Sequence, residues 1–209
     1  MSRIVIGLIF VLFLSLAGIC QAAEPKMTVE KYIDQVYELL KSKKAEESSL
    51  EKSELRQKLS QIALEAFDFR LMSRMILATH WKALNEQQHK EFFDLFIKLL
   101  EKNYFAKLEE YISEIKDLDR QNISITDEIL FSSHKAEVKS RIKYSDKDIP
   151  VNYRLVLSSS GWKVYDVSVE GVSLVRNYRD QFREFMMKNS PEELIEYLRK
   201  KIQEQRKDS

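Results

Sequence analysis

The chain has 209 residues, of which 44% are hydrophobic and 32% are charged, a composition typical of a folded globular protein rather than of a disordered chain. Its 34 basic residues balance 33 acidic ones, so it lacks the excess of positive charge on which non-specific nucleic-acid binding depends. It has only four glycines and contains neither of the glycine-rich phosphate-binding motifs, which argues against a nucleotide-binding loop.

The first 22 residues are predicted to be an export signal rather than part of the fold. Arg3 supplies a positive charge, residues 4–19 form an uncharged apolar run, and small residues surround a predicted cleavage site after Ala22. The run of 16 residues is shorter than the ~20 that a spanning helix needs. An uncleaved membrane anchor and a lipoprotein acylated at Cys20 are the two alternatives. Cleavage removes the only cysteine, which excludes disulfides and thiol chemistry from the mature chain.

Residues 27–112 are predicted to form four helices, because apolar side chains recur there every three or four positions. A polar run over 42–49 separates the first helix from the second. Asn85 and Gln88 have the spacing of a capping box, in which each side chain bonds the other residue's backbone N–H. This pair predicts the start of a long helix that ends near Tyr111, and the apolar stripe of that helix is wide enough for burial on two sides.

Residues 121–170 change to a period of two, which is typical of strands with one dry and one wet face. Short connections between them predict a four-stranded antiparallel meander. After Gly171 the helical spacing returns, and Ser190 with Pro191 and Glu193 predicts the start of a last helix. The order of elements predicts an α+β fold with helices packed on a curved sheet. Such an arrangement can leave an apolar cavity between the two layers, as in the NTF2-like fold.

The sequence lacks the patterns of metal and nucleophile chemistry. His80 and His89 have no partner at metal-ligand spacing, and no serine lies in a GxSxG context, so we expect neither a metal site nor a serine nucleophile. Asp166, on a predicted strand, could be a buried general base, or else a structural carboxylate that bonds backbone groups at the end of the sheet. Arg70 and Arg74 lie four residues apart on one helix face. They could bind an anion or a partner protein, or they could be solvated charges on the helix surface.

Aromatic side chains are the main positive signal. The chain has 11 Phe, 9 Tyr and 2 Trp, many of them on the long helix and on the inward faces of the strands. A large core accounts for any one of these residues. As a set they are also compatible with an apolar ligand cavity, because such cavities are lined by the same side chains.

Three segments together resemble a known protein family. They are FDFRLMSR (67–74) followed by His80 and Trp81, EFFDLF (91–96) continuing to Tyr111, and GWKVYDV (161–167) followed by EGVSL (170–174) and NYRDQF (177–182). The Trp-x-x-x-Asp and Glu-Gly-Val-Ser combinations are the most specific. Over about residues 29–200 the chain is similar to the MlaC family, also called the toluene-tolerance or ABC-transporter auxiliary family. Ala78, where many members have glycine, is a departure.

Members of that family are periplasmic phospholipid-binding proteins of Gram-negative bacteria. The resemblance implies a single lipid-binding domain over residues 23–205, followed by a frayed tail at 206–209, with the acyl chains inside an NTF2-like fold with added helices. It implies a carrier in the periplasm rather than an enzyme, with bound phospholipid as cargo and no cofactor. The implied partners are an MlaA-like outer-membrane lipoprotein–porin complex and an MlaD-like component of an inner-membrane ABC transporter, so that lipid exchange maintains outer-membrane asymmetry.

Inward-facing positions within the resemblance predict the side chains that surround the lipid. The resemblance also leaves Arg70 and Arg74 as expected contacts to the headgroup or a partner. The predicted cavity residues are Phe69, Met72, Ile76, Trp81, Phe92, Phe96, Leu99, Leu100, Tyr104, Val138, Ile142, Tyr153, Leu155, Tyr165, Val167, Val172, Val175 and Tyr178.

Three alternatives remain open at the level of sequence. The cargo could be a hopanoid or another lipid, the protein could be a periplasmic adaptor with a solid core, or it could be an NTF2-like enzyme, which would require Asp166 to be buried with a raised pKa. A free phospholipid exposes its chains to water at ~0.8 kcal/mol per methylene, so a soluble carrier must offer an apolar cavity. A cavity therefore separates a carrier from an adaptor.

Overall fold

The computed structural model describes residues 24–45, 52–114, 119–144 and 146–204. The predicted export signal at 1–22 and the predicted tail at 206–209 lie outside these ranges. Within them the chain forms α-helices α1 Pro25–Ala45, α2 Lys52–Ala66, α3 Phe69–Leu77, α4 Glu86–Glu114, α5 Leu174–Met186 and α6 Pro191–Glu204, with short 3-10 helices at Ala78–Ala83 and Arg120–Asn122. The strands are β1 Ile123–Ser132, β2 Lys135–Tyr144, β3 Lys147–Ser158, β4 Gly161–Val169 and β5 Val172–Ser173. None of the helices in the described ranges is both long and apolar enough to cross a lipid bilayer.

The sheet is an antiparallel meander in the order β1-β2-β3-β4-β5, which confirms the predicted α+β class and topology. The predicted number of four strands is wrong by one short strand. Glu170 and Gly171 have φ of 51° and 82°, the positive values that a two-residue hairpin turn requires, and this turn returns Val172 beside Val169. Helix α5 consequently begins only at Leu174.

The predicted capping pairs are present at the starts of α4 and α6. Asn85 Oδ1 accepts from the Gln88 backbone N–H at 2.9 Å, and Gln88 Oε1 accepts from the Asn85 N–H at 2.8 Å. Glu193 Oε2 accepts from the Ser190 N–H at 2.7 Å, and Ser190 Oγ accepts in return from the Glu193 N–H at 3.3 Å. These bonds satisfy backbone donors that the first turn of a helix leaves unpaired, so the sequence locates both helix starts.

Helix α3 ends earlier than its apolar spacing predicts. Its last residue is Leu77, and Ala78 follows with φ of 49° and ψ of −117°, a conformation that favours glycine. The chain then continues as a 3-10 helix that carries Trp81. The position at which the family resemblance leads us to expect glycine is therefore one at which an alanine backbone is strained.

Buried side chains form three clusters within the residues that the structure describes. The largest joins α3, α4, α5 and α6, and the second joins the inner face of the sheet to Val29 of α1. The third ties α1 to α2 through Leu40, Leu55 and Leu59. Phe67, between α2 and α3, packs against both the first and the second cluster. Its neighbour Asp68 donates a backbone hydrogen bond at 2.8 Å to Val164 of β4, so this segment joins the helical layer to the sheet.

Candidate functional site

An apolar cavity of about 380 Å³ opens between the helices and the ends of β4 and β5. This volume lies within the range of about 300–1,000 Å³ that is typical of small-molecule pockets. Twelve of the fifteen lining residues are aliphatic, Phe or Tyr. The lining residues are Ser60, Ala63, Leu64, Phe67, Phe69, Met72, Ile97, Leu100, Glu101, Tyr104, Val167, Val169, Val172, Leu174 and Asn177.

Two helices supply stripes with the same spacing to the wall. One stripe is Ser60, Ala63 and Leu64 at the end of α2 with Phe67 directly after it, and the other is Ile97, Leu100, Glu101 and Tyr104 on α4. The i, i+3, i+4, i+7 spacing places each set on one side of its helix. Each stripe is apolar or aromatic apart from one strongly polar residue, and those two residues meet, because Ser60 Oγ donates a hydrogen bond to Glu101 Oε1. This bond links α2 to α4 across the cavity wall.

The cavity meets solvent at an apolar rim. We call Leu64, Tyr104, Val169 and Val172 the mouth rim, because these four side chains line the cavity and are between 43% and 65% exposed. Val169 and Val172 pair with each other across the β4–β5 hairpin. Deeper in the cavity, the lining side chains of α3 are buried. Exposed apolar patches of this kind mark ligand or protein interaction sites on soluble proteins.

Polar groups at the cavity are few. Ser60, Glu101 and Asn177 contribute the polar side chains other than the Tyr104 phenol, and no lysine or arginine is among the fifteen lining residues. Burial raises the pKa of the Tyr104 phenol above its ordinary value, and a hydrogen bond with Tyr178 opposes part of that effect. Tyr104 is therefore uncharged at neutral pH, and the one formal charge that the lining residues carry is the carboxylate of Glu101.

Asp166 fixes one wall of the cavity without lining it. Its side chain is buried, with 5% of the residue exposed. Asp166 Oδ2 accepts from Ser173 Oγ at 2.7 Å, and Oδ1 accepts from the Val175 backbone N–H at 3.0 Å. Ser173 Oγ in turn accepts from the Arg176 N–H at 3.0 Å as the N-cap of α5. The carboxylate has the structural role that we stated as the alternative to a general base, because it ties β4 to the first turn of α5.

The structure divides the eighteen predicted cavity residues among three places. Six line the cavity: Phe69, Met72, Leu100, Tyr104, Val167 and Val172. Eight belong to the helical cluster or pack against it: Ile76, Trp81, Phe92, Phe96, Leu99, Tyr165, Val175 and Tyr178. Four lie in the sheet layer: Val138, Tyr153 and Leu155 in or against the second cluster, and Ile142 half-buried on β2. These last twelve pack around the cavity rather than along it, because an inward-facing position can meet either a cavity or a neighbouring layer.

The two arginines predicted to contact a headgroup or a partner do not line the cavity. Arg70 and Arg74 are both exposed on α3. The Arg70 guanidinium carbon lies 5.7 Å from the ring centroid of Phe93, a cation–π distance. Their spacing on one face of α3 is as predicted. Among the residues that line the cavity, however, the charged side chain is that of Glu101, which is an acid.

Nine lining residues were missed by the sequence predictions. They are Ser60, Ala63, Leu64, Phe67, Ile97, Glu101, Val169, Leu174 and Asn177. The helical spacing from Ser60 to Phe67 is a usable signal, but the apolar side of α2 that packs on α1 is the stronger pattern. The placement of Leu174 and Asn177 follows from the hairpin turn before them, which the four-strand prediction omits.

The histidines give no indication of a metal site in the described part of the chain. His89 Nε2 donates a hydrogen bond to the Trp81 carbonyl at 2.8 Å, and the two rings stack with their centroids 3.9 Å apart. Across the residues that the structure describes, no group of three or more His, Cys, Asp or Glu side chains is arranged to hold a metal ion. His89 instead connects the 3-10 helix to α4.

Comparison with known proteins places the chain in a family. The model of the MlaC protein family matches residues 30–200. No curated protein sequence matches the chain. Among solved structures, the phospholipid-binding protein from Ralstonia solanacearum, determined in complex with a phospholipid at 1.53 Å, is similar with a TM-score of 0.74 and 19% sequence identity. That match covers 87% of this chain and 98% of the other, and it shows a shared fold. Because the family model spans most of the sequence, the chain belongs to the MlaC family.

Proposed function

We propose that this protein is a periplasmic phospholipid carrier. The observation that carries the proposal is the cavity between α2, α4 and the β4–β5 hairpin, which is apolar inside and opens at the mouth rim. Membership of the MlaC family and the phospholipid bound to the similar Ralstonia solanacearum structure support phospholipid as the cargo.

The chemistry of the wall suits an acyl chain. Burial of each methylene contributes about 0.8 kcal/mol, so an apolar wall of aliphatic and aromatic side chains is sufficient to hold a chain without any covalent step. A polar headgroup needs hydration, and a cavity that opens to solvent leaves it at the mouth. Binding of this kind requires neither a cofactor nor a nucleophile.

The cavity also favours the carrier over the two other functions considered. An adaptor with a solid core has no use for an apolar cavity with an exposed rim. The NTF2-like enzyme considered above would need Asp166 to face its substrate, whereas both carboxylate oxygens of Asp166 accept hydrogen bonds from Ser173 and Val175, and Asp166 does not line the cavity.

Native mass spectrometry of the mature protein, purified without detergent, tests the proposal directly. We expect a stoichiometric bound lipid that is identified as a phospholipid when it is released. A hopanoid in its place would correct the cargo class, and a protein without lipid that also takes up none from labelled vesicles would contradict the carrier function. The intact mass of the same sample tests export, because cleavage after Ala22 predicts a chain that begins at Ala23.

A matched pair of variants tests whether the lipid occupies this cavity. Ala63 lines the cavity on α2, whereas Ala83 is exposed at the end of the 3-10 helix. Ala63→Trp should fill the cavity and reduce the lipid bound per folded protein, and Ala83→Trp should leave it unchanged. Equal lipid content in the two folded variants would place the cargo elsewhere.

We further propose, from family membership, that the carrier exchanges lipid with an MlaA-like outer-membrane complex and an MlaD-like transporter component and so maintains outer-membrane lipid asymmetry. Arg70 and Arg74 are exposed on α3 and are available for such a contact. Reversal of both charges should weaken binding to an MlaD-like partner while lipid content stays constant. Unchanged binding would remove these two residues from the docking surface.

A further inference from the structure

Within the proposed function, on which this inference rests, we infer that the cavity selects phospholipids whose headgroup carries a protonated amine, and that Glu101 is the residue that selects them. The lining residues carry one carboxylate and no lysine or arginine. A carrier that selected anionic headgroups would need cations at the mouth, and the two candidate arginines lie on the exposed surface of α3 instead.

The position of Glu101 fits contact with a headgroup rather than with an acyl chain. It is half-exposed, and on its α4 stripe it precedes the rim residue Tyr104 by one turn. Ser60 Oγ bonds one of its oxygens, Oε1, and so orients the carboxylate at the cavity wall. A carboxylate has about four lone-pair sites on its two oxygens, so Oε2 retains the capacity to accept from an ammonium group.

The neighbouring groups add to this selectivity. Lys102, the next residue on α4, donates to the Ile202 carbonyl of α6 and does not line the cavity. Asn177 of α5 contributes an uncharged amide, which can donate to a phosphate oxygen. An ammonium headgroup therefore gains a charge-assisted hydrogen bond at Glu101, whereas an anionic headgroup without an amine meets a like charge.

Competition between two headgroups on identical acyl chains tests the inference. The mature protein is incubated with vesicles of equimolar phosphatidylethanolamine and phosphatidylglycerol, re-isolated, and its bound lipids are counted by mass spectrometry. We expect phosphatidylethanolamine to be enriched about three- to fivefold, the upper part of what ion pairs at partly exposed sites provide. Glu101→Gln should lower the amount of phosphatidylethanolamine bound and so bring the ratio to that of the vesicles. Asp94→Asn, which removes a carboxylate from the exposed side of the same helix, should preserve the enrichment.

A second competition uses the wild-type protein alone and so does not depend on the folding of any variant. N-acetylated phosphatidylethanolamine keeps the phosphate and the chains but loses the positive nitrogen, and it should compete poorly with the unmodified lipid. Equal uptake of either pair of lipids by the wild-type protein, or enrichment that survives in Glu101→Gln, would overturn the selectivity and leave the carrier function standing. Absence of any lipid uptake would instead remove the carrier function and the inference with it.

Discussion

Replacement of Asp166 by alanine is expected to destabilise the protein strongly, although Asp166 does not line the cavity. The carboxylate accepts two hydrogen bonds in a buried position, from Ser173 Oγ at 2.7 Å and from the Val175 N–H at 3.0 Å. Alanine removes both, leaves the Val175 N–H unpaired, and detaches the start of α5 from β4. The rim residue Val172 precedes this capped turn and should lose its fixed position.

The magnitude follows from the number and type of these bonds. Hydrogen bonds to charged groups contribute about 1.5–3 kcal/mol each, so we expect Asp166→Ala to lower the free energy of unfolding by about 3–6 kcal/mol. For a chain of this size 1 kcal/mol corresponds to about 2–4 °C, which gives a fall in Tm of about 6–24 °C. Asparagine can still accept from Val175 and donate to Ser173, so Asp166→Asn should cost only about 1 kcal/mol, the difference between charged and neutral bonds.

Urea unfolding followed by circular dichroism measures both variants against the wild type. A loss below about 1 kcal/mol for Asp166→Ala would refute the assignment of a structural role, since removal of two hydrogen bonds to a buried carboxylate should lower the free energy of unfolding by more than this. Stability that is unchanged, together with a lost chemical activity, is the result that a general base would give. The same samples should show less bound lipid in the alanine variant than in the asparagine variant.

Three further predictions concern stability. Ala78→Gly should raise the free energy of unfolding by about 0.5–1 kcal/mol in the same urea assay, because φ of 49° strains alanine; a loss of stability would contradict this. Lipid at a hundred times its Kd should raise the stability of the delipidated protein by about 2.7 kcal/mol, seen as a higher Tm that an Ala63→Trp variant fails to show. Burial raises the pKa of the Tyr153 phenol, so the folded state retains that proton more tightly than the unfolded chain does. Stability should therefore fall as the pH rises above about 10, and Tyr153→Phe should make the fall less steep.

Local patterns in the sequence predict the elements well. The capping pair of Asn85 and Gln88 locates the start of α4 because both hydrogen bonds are made within four residues. The period of two locates the strands because the alternation is between neighbouring residues, and the short connections between strands predict their antiparallel order. The fifth strand escapes prediction because it depends on a positive φ at Glu170, a residue type that seldom adopts one.

The division between core and cavity is not a local property. Phe96 and Leu100 lie four apart on the same apolar side of α4, yet Phe96 packs edge-on against Tyr178 at 5.4 Å between ring centroids, while Leu100 lines the cavity. Which of them meets a cavity depends on what the other elements place opposite. Glu101 looks in the sequence like an ordinary solvated helix acid, and only its approach to Ser60 on α2 reveals where it lies.

Two kinds of residue lie next to the cavity. Some form the hydrogen bonds that connect Asp166 to the start of α5, and others line the cavity itself. Asp166 and Ser173 form hydrogen bonds that fix the backbone and do not line the cavity, whereas the side chains of Ala63 and Val172 line it and are apolar. The cavity could therefore be reshaped by substitution at the second pair while the first is kept. In protein engineering, the cavity of this fold can therefore be redesigned to bind other apolar molecules while the hydrogen bonds between β4 and α5 are retained.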